Sequence, residues 1–126
     1  MARHNLGELQ HAIMSVLWDR GEATVAEVHE ALHDRGLAFT TIATMLRKME
    51  RKGVVAHRAE GRQFVYRATV TEAQVRRSMV GELIGRLFDG DPGALAAHLV
   101  AEHEVDVGEL ADLRRRLAAG RKRERG

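Results

Sequence analysis

The stretch from residue 40 to residue 53 reads TTIATMLRKMERKG, and its alternation of apolar and polar positions decides the fold of the first half of the chain. Apolar side chains recur at intervals of three and four residues, which predicts an α-helix with one buried face. They are Ile42, Met45, Leu46 and Met49. The other positions carry hydroxyls first and cations later, and Gly53 is the stop signal. We therefore expect a helix over residues 40–53 that is packed on one side only.

Two further helices are predicted upstream. Residues 6–20 carry apolar side chains at helical spacing and end before Gly21, which predicts an amphipathic helix. Residues 24–27 (TVAE) form a capping box that begins a second helix, with Gly36 as its stop signal. Three successive helices, each closed by a glycine, indicate a tight helical unit.

The periodicity changes after the third helix. Residues 54–58 and 63–67 are rich in β-branched and aromatic side chains, and Gly61 lies between them, where a turn needs positive φ. This pattern predicts a β-hairpin. Three helices followed by a hairpin is the order of a winged helix-turn-helix, so we expect one over residues 1–70 in a mainly α chain with a small β-hairpin.

The second half is predicted to be helical, starting after another capping box at residues 71–74 (TEAQ). The predicted helices span residues 75–88, 94–103 and 106–118. Three short helices bury too little apolar surface for a core of their own, so we expect a helical dimerisation domain over residues 71–119. Its candidate contact residues are Met79, Leu83, Leu87, Leu95, Leu99, Leu110, Leu113 and Leu117. Residues 120–126 are expected to form a disordered basic tail.

Charge is distributed unevenly along the 126 residues, although the net charge is only +2. Residues 47–67 carry seven basic and two acidic side chains, a net charge of +5, whereas residues 71–119 carry six and nine, a net charge of −3. A basic block beside an acidic half indicates one surface for a polyanion and another for a different partner. The absence of cysteine excludes disulfides, thiolate metal sites and a cysteine nucleophile.

The helix predicted over residues 40–53 has the chemistry of a DNA-reading helix. The second helix of a helix-turn-helix enters the major groove with its N-terminal residues against base edges. Short hydroxyls fit close to bases, Ala43 suits a thymine methyl group, and long cations suit phosphates. The candidate DNA-binding residues are Thr40, Thr41, Thr44, Arg47, Lys48, Arg51, Lys52 and, at the hairpin tip, Arg62. The expected partner is double-stranded DNA.

Other interpretations of these residues stay open. Thr40 or Thr41 can serve as a helix N-cap, and the cations can form an ordinary solvated face. The chain can also be a winged-helix module that binds a protein rather than a specific DNA sequence. A metal or small-molecule sensor that uses His98 and His103 can coexist with DNA binding.

Patterns typical of enzymes are missing from the sequence. His29 and His33 have helical spacing, but no HExxH-like carboxylate completes a zinc site, and no glycine-rich phosphate loop occurs. We expect no enzyme, no cofactor and no bound metal. No apolar run has the length of a membrane span, and the first seven residues, MARHNLG, lack the apolar core of a secretory signal. We expect a cytoplasmic protein that does not contact a membrane.

Several motifs resemble those of the BlaI/MecI penicillinase-repressor family, over residues 6–118. They are Leu9, Ile13-Met14 and Leu17-Trp18, TVAEV at 24–28, TTIATMLRKM at 40–49, Lys52-Gly53, Gly61-Arg62 with Phe64-Val65-Tyr66, and Glu109-Leu110, Leu113-Arg114 and Leu117. The resemblance implies a winged helix followed by a helical dimerisation domain. It also implies a dimeric repressor of inverted-repeat operators with TACA/TGTA-like half-sites, in which Thr41 and Thr44 are recognition-helix threonines.

Two departures from the family pattern concern the inducing signal. The resemblance implies that β-lactam-responsive members are cut by a signalling protease at an Asn-Phe bond in the fifth helix, where this chain has His98-Leu99. Copper-responsive relatives carry a C-terminal cysteine cluster, which this chain lacks. We expect release of DNA through weakening of the dimer, because one module makes too few phosphate contacts to bind alone. The inducer and a protease partner stay open.

Overall fold

Six α-helices and three short strands make up the computed structural model, which describes residues 6–125 and places the side chains of residues 6–120. The helices are α1 Glu8–Arg20, α2 Val25–Ala31, α3 Phe39–Lys52, α4 Glu72–Leu87, α5 Pro92–Glu102 and α6 Val107–Arg125. The strands are β1 Ala23–Thr24, β2 Val55–Glu60 and β3 Gln63–Ala68. The chain divides into two compact units, the first ending at Val80 and the second beginning at Gly81.

The start of α2 carries the predicted capping box. The backbone amide of Glu27 donates to Thr24 Oγ1 at 3.1 Å, and the amide of Thr24 donates to Glu27 Oε1 at 2.9 Å. These bonds satisfy amide groups that the first turn of a helix leaves without intrahelical partners. The helix is shorter than predicted, because a 3₁₀ turn over His33–Arg35 follows it and ends at Gly36, where φ is +66°.

The core of the first unit is built around α3. Ile42, Leu46 and Met49 have no exposed surface, as their spacing predicted. Met45 was predicted to be buried with them but is half-buried, and Gln10 Nε2 lies 3.3 Å from its sulfur. The other core residues are Leu6, Ile13, Met14, Leu17, Ala23, Val28, Val54, Val55, Tyr66 and Val75. Helix α3 is therefore anchored along one side only.

Strands β2 and β3 form the predicted hairpin, in which Glu60 lies opposite Gln63 across a two-residue turn. Gly61 has a φ of +61° at the first turn position, which type II′ turns reserve for glycine. The third strand, β1, was not predicted because two residues cannot show an alternating pattern. It pairs with β3, with Ala23 opposite Tyr66, and the strand order is β1-β3-β2. The predicted winged-helix fold class is confirmed.

The division between the compact units lies further along the chain than the predicted boundary after residue 70. Helix α4 begins with the predicted capping box, in which Thr71 and Gln74 exchange hydrogen bonds of 2.8 and 3.0 Å. Its first turns then pack on the first unit, where Val75 is buried in the core and Met79 lies against it. The beginning of α4 therefore belongs to the winged-helix unit.

The second unit contains the end of α4 together with α5 and α6. Asp91 caps α5 by accepting a hydrogen bond of 2.9 Å from the amide two residues later, and Pro92 occupies the first helical position. Helix α6 continues to Arg125, whereas the sequence predicted a disordered tail from residue 120. Arginine, lysine and glutamate are good helix formers, so they can extend the helix; Gly126 lies outside the described residues. Within residues 6–125, no helix has both the length and the apolar character to cross a bilayer.

Candidate nucleic-acid interface

Helix α3 presents the side opposite the core to solvent. All eight predicted DNA-binding residues are exposed: Thr40, Thr41, Thr44, Arg47, Lys48, Arg51 and Lys52 on α3, and Arg62 in the hairpin turn. Because Ile42 and Leu46 fix the buried side in the core, the rotation of the helix about its axis is set by packing. The exposed side chains therefore form a surface with a fixed orientation.

The start of α3 differs from the N-cap interpretation of its threonines. The N-cap residue is Ala38, and it makes no side-chain capping bond. Thr40 and Thr41 lie inside the first turn, one and two residues after Phe39, so their hydroxyls are not engaged as N-caps. Thr44, one turn later, accepts a hydrogen bond of 3.4 Å from Arg47 Nη2. The N-terminal turn thus combines exposed hydroxyls with an end that no side chain caps.

Most of the predicted DNA-binding cations have no carboxylate close to them among the side chains placed for residues 6–120. Four of the five have no carboxylate oxygen within 4.0 Å among the side chains placed for residues 6–120. These four are Arg47, Lys48, Arg51 and Arg62. Arg58 on β2 is different, because Glu60 and Glu22 both pair with it, and their hydrogen bonds raise the pKa of its guanidinium. These four side chains therefore present positive charge to solvent on α3 and the hairpin turn.

A cluster that the sequence analysis missed joins α3 to the hairpin. His57 Nδ1 on β2 donates to Glu50 Oε1 on α3 at 2.6 Å. The imidazole also stacks on Phe64, with ring centroids 4.1 Å apart, and lies 5.4 Å from the buried ring of Tyr66. Burial raises the pKa of the Tyr66 hydroxyl. A two-residue turn places His57 opposite Tyr66. The sequence could therefore have predicted this pair, but not the contact of His57 with Glu50.

Lys52 is held differently from the other cations of α3. Its Nζ donates to Gln10 Oε1 on α1 at 3.1 Å, and Gln10 also reaches the sulfur of Met45. This residue therefore connects the end of α3 to α1. Its ammonium group is less available to an outside partner than the guanidinium of Arg51 one residue before.

In the second unit, the residues predicted for dimerisation fall into two groups. Four are between 41% and 67% exposed. These are Leu83, Leu87, Leu113 and Leu117. Three more are half-buried, namely Leu95, Leu99 and Leu110. Val107, which the sequence analysis did not select, is 64% exposed. Met79 differs from the rest because it packs on the core of the first unit.

The histidines of the second unit lie near one another. The ring of His98 contacts Phe88 edge-on at 5.6 Å and lies 6.1 Å from the ring of His103. Among the described residues, no group of three or more His, Asp or Glu side chains is arranged to hold a metal ion. The His98-Leu99 pair, at which the resemblance places the cleavage bond of β-lactam-responsive relatives, lies inside α5, where the Leu99 carbonyl accepts a hydrogen bond of 3.0 Å from the His103 amide.

Comparison with known proteins gives similarity to repressors along nearly the whole chain. The penicillinase repressor family model matches residues 6–119. The transcriptional regulator BlaI of Mycobacterium tuberculosis is 34% identical over 116 residues, which cover 90% of this chain and 83% of that protein. The penicillinase repressor of Bacillus licheniformis is 23% identical over 109 residues, covering 86% and 85%. The methicillin resistance regulatory protein MecI of Staphylococcus aureus is 18% identical over 112 residues, covering 88% and 91%.

A solved structure also resembles part of this chain. The solution structure of the DNA-binding domain of the repressor BlaI superposes with a TM-score of 0.50 at 30% sequence identity. It covers 55% of this chain and 85% of that domain. The relatives are named as transcriptional repressors and regulators, and none is named as an enzyme. With a family model that spans most of its length, this chain is a member of the penicillinase repressor family.

Proposed function

We propose that this chain is a homodimeric transcriptional repressor that places α3 in the major groove of operator DNA and the β2–β3 hairpin along the flanking backbone. The observation that carries the proposal is the two-sided character of α3. One side is locked into the core, and the other presents threonine hydroxyls together with Arg47, Lys48 and Arg51, which form no ion pair with any carboxylate placed for residues 6–120. This is the arrangement by which a helix-turn-helix protein reads base edges and holds phosphates.

Each part of the exposed surface has its own role in this proposal. Thr41 and Thr44 contact bases of a TACA/TGTA-like half-site, since short hydroxyls can approach base edges closely. The uncapped start of α3 faces a phosphate, whose charge the free amide groups and the helix dipole favour. Arg47, Lys48 and Arg51 hold the phosphate backbone beyond the groove, and Arg62 at the wing tip reaches the DNA flank.

Dimerisation is proposed to occur through the second unit. Its exposed leucines, together with Val107, leave apolar surface in contact with water in the single chain. Covering this surface with the same surface of a second copy would remove it from water and produce a twofold dimer. Such a dimer suits an inverted repeat, whose half-sites we expect about 34 Å or slightly more apart, one helical turn of DNA. The complex would form in the cytoplasm, where operator DNA is accessible.

Release is proposed to follow weakening of this dimer. A single winged helix makes few phosphate contacts, so its affinity at cellular salt is low, and the linked pair binds far more tightly. Cleavage at His98-Leu99 is not part of the proposal. The pair differs in both residues from Asn-Phe.

The decisive experiment is a selection of genomic DNA fragments by the purified full-length chain. We expect enrichment of an inverted repeat with TACA/TGTA-like half-sites about one helical turn apart. A chain that retains fragments without any common sequence would overturn the proposal, and its α3 surface would then be that of a protein-binding winged-helix module.

A further inference from the structure

Phe39 is a large aromatic residue that the first unit leaves 48% exposed. It is the first residue of α3, directly before the threonines of the proposed DNA surface. Phe64, which is similarly exposed, has a partner in His57 on the wing. Phe39 has no role in the functions described so far.

The position of Phe39 directs its ring past the start of α3. Side chains of an α-helix tilt toward its N-terminus, so a side chain at the first position projects beyond the helix end. That end is the one which a recognition helix inserts most deeply into the major groove. The ring is supported on one side by His29 of α2, which it meets edge-on at 5.8 Å, and His29 Nε2 is in turn 2.8 Å from the carbonyl oxygen of Leu37.

The side chains next to Phe39 on α3 indicate which part of a base pair its ring contacts. Phe39 and Ala43 are four residues apart and therefore lie on one flank of α3, while Thr40 and Thr44 form a parallel hydroxyl row beside them. Apolar side chains in the major groove pack on the 5-methyl group of thymine, which is the apolar feature of a base edge there. An apolar row beside a hydroxyl row is suited to thymines next to polar base edges.

We propose that Phe39 is a specificity-determining residue that contacts the 5-methyl group of one thymine in each operator half-site. The inference rests on the proposed function, because it places α3 in the major groove. It adds a base contact from an apolar side chain outside the threonine and cation set. The recognition surface then begins at Phe39 rather than at Thr40.

The test replaces each thymine of the selected operator in turn by deoxyuridine, which removes only the 5-methyl group. Affinities are measured for the wild-type chain, for Phe39→Ala and for Phe39→Gln, a polar variant compatible with a helix. We expect wild-type binding to fall about fourfold per half-site at one thymine, the effect of exposing one methyl group. Both variants should bind the thymine operator more weakly and lose this response to deoxyuridine.

The matched control is Phe64→Ala, which removes an equally exposed aromatic ring from the wing. This variant should keep the full deoxyuridine penalty at the same thymine. The inference is overturned if both Phe39 variants retain the wild-type penalty at every thymine while melting as cooperatively as the wild type. In that case operator binding by the wild-type chain still upholds the proposed function, whereas failure to select any operator defeats both.

Discussion

His57 on the wing and Glu50 on the recognition helix are joined by a hydrogen bond of 2.6 Å. It connects the two elements that the proposed function places on DNA, near the base of the hairpin and the last turns of α3. The stacking of His57 on Phe64 extends this connection along the wing. The orientation of the wing relative to α3 is thus held by side chains as well as by the short chain connection at Gly53.

Replacement of His57 by alanine should weaken operator binding about fivefold, the equivalent of one hydrogen bond of about 1 kcal/mol. The wing would lose its link to α3, but no phosphate contact would be removed. The salt dependence of binding should therefore stay unchanged in titrations at several salt concentrations. His57→Gln, which keeps a donor for Glu50, should lose less, and wild-type affinity in the alanine variant would speak against the link.

Replacement of Arg47 or Lys48 by alanine should reduce both the affinity for DNA and its salt dependence. Each phosphate contact contributes a slope of about −0.9 to the plot of log affinity against log salt concentration. Arg58→Ala is the control, because the charge of Arg58 is already engaged by Glu22 and Glu60. An equal change of slope in all three variants would show that the effect follows net charge rather than position.

Replacement of Leu83 or Leu110 by aspartate should produce a monomer that no longer binds the operator tightly. A carboxylate in an apolar interface loses its hydration without a partner, which disfavours association. Sedimentation gives the oligomeric state, and circular dichroism shows whether the first unit stays folded. Ala73→Asp is a control with the same charge in the exposed first turn of α4 and should remain dimeric. Tight binding by a monomeric variant would contradict the proposed route of release.

Replacement of Ile42 by alanine should lower the free energy of unfolding by about 2 to 4 kcal/mol, because it opens a cavity beneath α3. Thr44→Ala, on the opposite side of the same helix, should change it by no more than about 0.5 kcal/mol. Urea denaturation measures both. The affinity for operator DNA should instead fall more in the Thr44 variant than in the Ile42 variant, because Thr44 is a proposed base contact. A strong loss of stability in the Thr44 variant would mean that this side of α3 is not free.

The capping box of α2 should make stability depend on pH in the acid range. Hydrogen bonds from Thr24, helped by the charge of Arg20, hold the pKa of Glu27 below its ordinary value. A lowered pKa means that the folded state favours the carboxylate, so the contribution is present above the ordinary pKa of about 4.3 and is lost as pH falls through the lowered one. Melting temperatures of the wild type and Glu27→Gln from pH 7 to pH 3 should therefore converge toward the acid end. A constant difference across this range would contradict the assignment.

Much of the first unit could be predicted from local pattern. The buried side of α3 follows from helical spacing around Ile42 and Leu46, and the hairpin turn follows from the need for positive φ at Gly61. The capping box at residues 24–27 likewise depends on groups only three positions apart. Such features involve neighbours along the chain, so spacing and residue type are sufficient to predict them. The exposed side of α3, and with it the candidate DNA surface, came from the same periodicity.

Only the tertiary structure decided which distant groups meet. The pairing of Ala23 with Tyr66 makes a strand out of two residues, and Glu22 pairs with Arg58 from 36 positions away and withdraws it from the basic surface. The extension of the first unit into α4 likewise depends on the packing of Met79 against the core. These contacts join residues separated by long stretches of chain, and their formation depends on how helices and strands pack against each other. No repeat or spacing in the sequence encodes that packing.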